Sequence, residues 1–239
     1  MKFIPIQTRV LQPPQDNLFD VLDEFLVDVR EKDLVLVTSK VVAIHQGLCV
    51  PLTEDKRTLV ESEAERWIEG NQKYYASPLA IKYNALLYAA GIDESNSGNF
   101  FTLLPKNPFD AAKDIWEYLK QRHGLRDVGV IVTDSHTQPL RWGVQGISIG
   151  FWGFYPVNKH AGRKDLFGRE IKLSSTNIPD SVAAGATAVS GEADESTPVV
   201  IARDVPGVIF TEEDKRNDLL VEAEDDLFFP LLEKFYKKD

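Results

Sequence analysis

GVIVTDSHTQPLRWG, residues 129–143, begins as a short aliphatic run and turns abruptly polar. Val130, Ile131 and Val132 are the residue types of a buried strand, and the run predicts a strand over 128–133. Asp134, Ser135, His136, Thr137 and Arg141 then place five polar or charged groups within eight positions. A turn uses one or two such residues, because their side chains hydrogen-bond the local backbone. Five exceed that need. Ligands bind just outside the carboxyl ends of strands in sheets flanked by helices, so this stretch marks both a central strand and a candidate site.

Outward from this strand, helix and strand signals mix without a strict βαβ order. Upstream, NLFDVLDEFLVDV (17–29) puts Leu18, Phe19, Leu22, Phe25, Leu26 and Val29 on one helical face, with Asp16 as N-cap. DLVLVTSKVVAI (33–44) reads as one β-branched strand, or as two short strands kinked at Ser39-Lys40. RTLVESEAERWIEG (57–70) reads as a charged surface helix. SPLAIKYNALLYAAG (77–91) has Ser77 as cap, Pro78 at the first helical position and Gly91 past the end, which predicts a helix. NPFDAAKDIWEYLKQRHG (107–124) repeats that grammar with Asn107, Pro108 and Gly124. Downstream, GISIGFWG (146–153) predicts a strand whose glycines serve close backbone packing. A loop rich in Lys, His and Arg follows, then a helix near 179–190 and the strand PVVIARD (198–204). Two acidic amphipathic segments, 211–223 and 225–237, close the chain as a helical C-terminal portion. The fold class this predicts is α+β, a mixed sheet with flanking helices. No repeat or low-complexity linker divides the 239 residues, so they are expected to form a single unit, 1–239, of two interwoven subdomains.

Composition narrows the function. Hydrophobic residues at 43% and charged residues at 27% are those of an ordinary globular protein. A net charge of −10 argues against duplex nucleic acid, whose phosphates must be met by clustered Lys and Arg. A nucleotide stays open, since a few cations or a metal ion bridge phosphates to carboxylates. The single cysteine, Cys49, allows neither an internal disulfide nor a CxxC site and suits a reducing compartment. MKFIPIQT has no apolar segment long enough for a signal peptide, and no uncharged run reaches the roughly 18 residues of a membrane span. The expectation is a soluble, cytoplasmic protein.

Three segments concentrate polar residues beyond what a core needs: GIDESN (91–96), VTDSHT (132–137) and SGEADEST (190–197). Each sets carboxylates beside hydroxyl or amide groups: Asp93 with Asn96, Asp134 with Ser135, and Glu192, Asp194 and Glu195 near Ser190. Mg²⁺ and Mn²⁺ take such hard oxygen ligands, together with phosphate and water. Taken singly, any of these carboxylates is more often a turn residue, and Asp194 and Glu195 fit a solvated turn. The four histidines show neither HxxxH nor HExxH spacing, which leaves zinc without a motif. No P-loop and no GxSxG elbow is present. Lys40, Arg141, Arg163 and Arg169 offer donors for a phosphate or carboxylate, or are ordinary exposed charges.

The order of AAGIDESN, LLPKNPFDAA, VIVTDSHTQPLRWGVQGISIGFWG, DLFGRE and SGEADESTPVVIARD resembles the coenzyme F-420 gamma-glutamyl ligase family, in register over residues 33–204. Members of that family add L-glutamate to the deazaflavin precursor of coenzyme F-420. The resemblance implies the gamma-glutamyl ligase fold, a homodimer, two Mg²⁺ or Mn²⁺ ions, and GTP (or ATP) as co-substrate. It implies Asp93, Asp134, Ser135 and Glu192 as metal ligands. Asn96, Ser190, Gly191, Ala193, Asp194 and Glu195 would contact the nucleotide, with Ser39 and Lys40 at its phosphates. Arg141 would steady a phosphate or the acceptor. The partners implied are L-glutamate, the nucleotide and a small carboxylate acceptor activated as an acyl phosphate.

The chain also departs from the family pattern. A second Ser-Lys usually follows the first, whereas Ala43 and Ile44 stand here. The N-terminal TRVLQPPQDNL keeps only Pro14, Asp16 and Leu18 in register, and Thr137-Gln138-Pro139-Leu140-Arg141 replaces Gly-Arg-Pro-Trp-Arg. Metal positions are kept while nucleotide and acceptor positions drift. A metal-dependent phosphohydrolase and a non-catalytic nucleotide- or metal-binding homologue are therefore the competing expectations, separated from a ligase by glutamate-dependent turnover.

Overall fold

The computed structural model describes residues 1–237. In chain order the first half runs β1 (Lys2–Ile6), α1 (Leu18–Phe25), β2 (Leu34–Thr38), α2 (Ser39–His45), β3 (Cys49–Pro51) and α3 (Lys56–Glu63). It continues through β4 (Arg66–Ile68), β5 (Leu79–Lys82), β6 (Ala85–Tyr88), β7 (Phe100–Thr102) and α4 (Pro108–His123). Then come β8 (Gly129–Thr137), β9 (Val144–Trp152), β10 (Val157–Lys159), β11 (Ser175–Asn177), α5 (Ile178–Ser190), β12 (Val199–Arg203) and α6 (Phe229–Tyr236).

The main sheet has the order β1-β12-β2-β8-β9, with β2 and β8 parallel and every other pair antiparallel. This is the mixed sheet and flanking helices that the element pattern predicts. Period-two alternation divides the central strands between two cores. Val35, Val37, Val130 and Val132 face one side, where they pack with Leu18, Leu22, Ile115 and Leu119 of α1 and α4. Leu34, Leu36 and Ile131 face the other, against Ile178, Val182, Ala183 and Ala186 of α5. A satellite cluster of Val60, Ala80, Ala89, Ile92 and Phe101 holds α3, the β4-β5-β6 sheet and β7 together. Among the described residues no helix is long and apolar enough to cross a membrane.

Five local expectations are corrected. Residues 77–91 form the β5–β6 hairpin followed by a single 3₁₀ turn, not a helix. Tyr83 and Asn84 both take positive φ, 54° and 55°, the backbone of a two-residue hairpin turn, so LAIK and ALLY pair across them. Ser77 and Pro78 precede a strand instead of capping a helix. Residues 33–44 break after Thr38 into β2 and α2, because Val41, Val42 and Ile44 bury at helical spacing in the core shared with α1 and β8. Helix α3 stops at Glu63, and the chain turns into β4. Over 211–223 there is only a short 3₁₀ turn at Arg216–Asp218: Phe210, Leu219 and Leu220 lie across the α5-side core, while Arg216 is drawn to Asp110 and Asp214. Of the C-terminal segments only Phe229–Tyr236 forms an α-helix, and a second 3₁₀ turn lies at Ala223–Asp225. The cap of α1 is Asn17, whose side chain accepts from the Phe19 amide; Asp16 is held instead by Arg9 and the Gln12 and Asn17 amides.

Helix α4 matches its punctuation: Pro108 opens it and Gly124 closes it at φ 66°. The strand glycines do what close packing asks. A Cβ on Gly146 would lie 2.4 Å from the Ala183 carbonyl of α5, and one on Gly150 would lie 2.4 Å from the Pro108 carbonyl. Both obstacles are backbone, so neither can step aside. Gly150→Ala is expected to destabilise the protein by about 3 kcal/mol through overpacking, seen as a lower urea midpoint. An unchanged midpoint would mean that α4 slides off β9 without cost.

Candidate active site at the strand ends

Beyond Thr133, β8 loses its partner β2, which ends at Thr38, and runs on with β9 alone as a two-stranded arm. The pairing slips between Val132 and Thr133, the irregularity of a β-bulge, after which Asp134 pairs with Ile147 and Ser135 with Gly146. The polar run is therefore the continuation of the strand and not a turn after it. At this same edge α2 starts and β12 begins. The 91–96 and 190–197 loops fold over it, and together they enclose a cleft of about 720 Å³.

Asp93, Asp134, Ser135, Glu192, Ser39, Lys40, Asn96, Ser190, Gly191, Ala193, Asp194 and Glu195 all line this cleft. Arg141 does not. It sits exposed on the turn between β8 and β9, where its amide donates to the Gln138 carbonyl, and it is not among the residues that line the cleft.

The contacts join distant parts of the chain. Ser39 Oγ donates to Asp134 Oδ1 at 2.9 Å, and Ser135 Oγ donates to Glu192 Oε1 at 2.8 Å. Asn96 Nδ2 donates to the Ala193 carbonyl at 2.6 Å, tying the 91–96 loop to the 190–197 loop. Asn96 itself takes φ 53°, a conformation that Asn tolerates better than most residues. Glu195 folds back to accept from the Ala193 amide at 2.9 Å, against a Gly191 that has no room for a Cβ. Lys40 Nζ pairs with Asp93 Oδ2 at 2.6 Å, and Asp93 also accepts from the amide and hydroxyl of Ser95.

Electrostatics separate the two aspartates. Burial pushes the Asp134 carboxyl up to about 7, with a further rise from the charge of Asp93, against the opposing Ser39 hydroxyl and Ser135 amide. Burial also pushes Asp93 up, but Lys40 and Ser95 more than offset it, and its carboxyl lies below the usual range. His136 on the arm is lowered by burial, partly opposed by Asp180.

Sequence reasoning missed several lining residues. Thr8 and Arg9 arrive because the Thr8 amide bonds the Ser196 carbonyl. Arg9 is bound by Asp16 at 2.6 Å and 3.0 Å. Lys56, at the start of α3, reaches the cleft with only a loose pair, 3.7 Å to Glu94. Nothing local in LTEDKRT distinguishes Lys56 from a solvated lysine; only the docking of the satellite cluster brings it in. The cleft thus carries three cations, Arg9, Lys40 and Lys56, against six carboxylates.

Its donors are hard oxygens without a thiolate, and among the described residues no three His, Cys, Asp or Glu side chains converge on one point. There is no all-protein cage. The set fits a Mg²⁺-like ion that is held by one or two carboxylates and completes its shell with water and phosphate.

The F420-0:Gamma-glutamyl ligase family matches residues 57–204. A coenzyme F420:L-glutamate ligase of Methanococcus maripaludis is 33% identical over 222 residues, 90% of this chain and 86% of that relative. The coenzyme F420:L-glutamate ligase of Methanocaldococcus jannaschii is 42% identical over 147 residues, 62% of this chain and 58% of its own. That of Methanopyrus kandleri is 30% identical over 219 residues, 84% of each. On these matches the chain belongs to the F420-0:gamma-glutamyl ligase family.

Proposed function

We propose that the protein is a nucleotide- and divalent-metal-dependent ligase that joins L-glutamate to a carboxylate of a small acceptor, the coenzyme F-420 precursor or a related molecule. The observation that carries this is the single cleft in which Asp93, Asp134, Ser39, Lys40 and the 190–197 loop meet, from segments up to about 150 residues apart. The names of the relatives supply the glutamate.

Transfer of the γ-phosphoryl group to the acceptor carboxylate releases nucleoside diphosphate and leaves an acyl phosphate. The glutamate amine then attacks the acyl carbon; the C–N bond forms, the C–O bond to phosphate breaks, and inorganic phosphate leaves with a proton lost from the amine. Such transfer asks chiefly for positioning and charge neutralisation. Asp93 and Asp134, with Ser135 and Glu192, would hold Mg²⁺ or Mn²⁺, which neutralises charge on the transferring group. Lys40 and Ser39 would face the phosphates, and Lys56, whose pair with Glu94 is loose, is a further cation available to them. Asn96 and the 190–197 backbone form the wall against which the nucleotide lies. His136 and Thr137 line the arm side of the cleft, and this side would receive the acceptor.

The test is one incubation of protein, Mn²⁺ and Mg²⁺, GTP, L-glutamate and the glutamate-free F-420 precursor, followed by mass spectrometry with diphosphate monitored in parallel. A product heavier by a glutamyl unit is expected. Diphosphate formed equally without glutamate would replace the ligase with a hydrolase, and no turnover with GTP or ATP would remove the catalytic reading altogether.

A further inference from the structure

The Lys40 ammonium is held by three oxygens of one loop. Asp93 Oδ2 lies at 2.6 Å, the Ser95 carbonyl at 2.7 Å and Ser95 Oγ at 3.0 Å. An ammonium has three N–H donors, and here each has a partner. A carboxylate, a carbonyl and a hydroxyl are also the donors a hard divalent cation takes. The loop is built to present them, since the Ser95 amide and hydroxyl each hold one oxygen of Asp93 at 2.8 Å. Across the cleft, Asp134 has the Ser39 hydroxyl and, among the described residues, no ion pair. One carboxylate of the pair carries a built-in cation and the other does not.

We propose that Lys40 is an internal counter-ion that competes with the divalent cation for Asp93, and that bound nucleotide relieves the competition by giving the displaced ammonium a phosphate partner. This rests on the ligase reading of the cleft. Lys40 is tethered to α2 and needs only side-chain rotation to leave Asp93. Metal alone must displace the ammonium into water; metal arriving with a triphosphate exchanges one anionic partner of Lys40 for another. Cation and nucleotide therefore bind cooperatively, and by linkage each raises the affinity of the other by the same factor.

The test needs no turnover. Mn²⁺ is titrated into the protein without nucleotide and the free-ion signal is read by electron paramagnetic resonance. Binding of a fluorescent GTP analogue is measured separately at saturating Mn²⁺. Lys40→Met is expected to bind Mn²⁺ alone about tenfold more tightly than the unaltered protein, and to bind the analogue more weakly. Opposite signs from one substitution are the signature, since a misfolded variant loses both. Lys56→Met removes the same charge from the same cleft without freeing Asp93, and its Mn²⁺ affinity should stay within about twofold. Adding Asp93→Asn to Lys40→Met should erase the gain. Mn²⁺ affinity that is unchanged or lower in Lys40→Met, or raised equally in Lys56→Met, would overturn the proposal. Absence of a glutamylated product from the unaltered protein would instead strike the ligase reading and leave the Mn²⁺ result standing.

Discussion

Asp134→Asn is expected to abolish glutamate-dependent turnover and, at pH 8, to make the protein more stable. The two effects share one cause. Burial raises the folded-state carboxyl to about 7, well above its ordinary value of 3.8. An acid raised in this way favours folding through its neutral form. That contribution is complete below about pH 4 and is lost as pH climbs through 7. At pH 8 the fold therefore holds a charged carboxylate with little compensation. Asn keeps the shape and removes the charge, which is worth on the order of 2–4 kcal/mol at pH 8 and almost nothing at pH 4. Losing the carboxylate oxygens that would bind metal should lower kcat/KM at least a thousandfold, about 4 kcal/mol. Thermal melts at pH 4, 6 and 8 together with the glutamylation assay check both halves. A lower melting temperature at pH 8, or activity within tenfold of the unaltered protein, would sink the assignment. Stability given up at a working residue is a common pattern in enzymes.

The second large effect lies at the opposite edge of the sheet. Asp33 is fully buried at the entrance to β2, and Arg203, at the end of β12, grips it through Nε at 2.9 Å and Nη2 at 2.7 Å. Arg203 →Met leaves that carboxylate with only the Arg30 amide as a donor. Breaking a buried pair from one side costs about 3–5 kcal/mol, which in a chain of this size lowers the melting temperature by roughly ten degrees. The double variant Arg203→Met, Asp33→Leu should regain much of the loss, because no charge is then stranded. A single variant that melts within about two degrees of the parent would show that water reaches Asp33.

The segments that line the cleft are more legible in the sequence than several of the elements around it. Asp93, Asp134 and Glu192 stood out because each sits among hydroxyl and amide side chains with no apolar spacing to explain them, and tertiary structure brings all three segments to one cleft. Arg141 differs, since the fold leaves it outside the lining of the cleft. Its nearness to Asp134 in sequence means little, since β8 ends at Thr137 and Arg141 lies four residues further on, in the turn that leads the chain back into β9. Residues 77–91 misled because Ser, Pro and Gly punctuate hairpins as readily as helices, and the deciding signal, two residues at positive φ in Tyr83-Asn84, is weaker than Asn-Gly. Lys56 and Arg9 carry no local mark at all; only long-range packing makes them part of the cleft.

The placement of β2 has a consequence for how the chain acquires its shape. This strand sits in the middle of the sheet, yet its partners are β8 and β12, and the contacts made by the residues flanking its two ends close loops of 95 residues at Ser39–Asp134 and 170 at Arg203–Asp33. As the polypeptide leaves the ribosome, Leu34 to Val37 emerge early with both edges bare and must wait for most of the chain to be made. High contact order of this kind slows folding, and unpaired apolar strands are where growing chains stick to one another. The cleft, which draws on residues from Thr8 to Val200, comes into being only at the end of that wait. Recombinant yield should accordingly respond more to slower synthesis and chaperone supply than to surface substitutions.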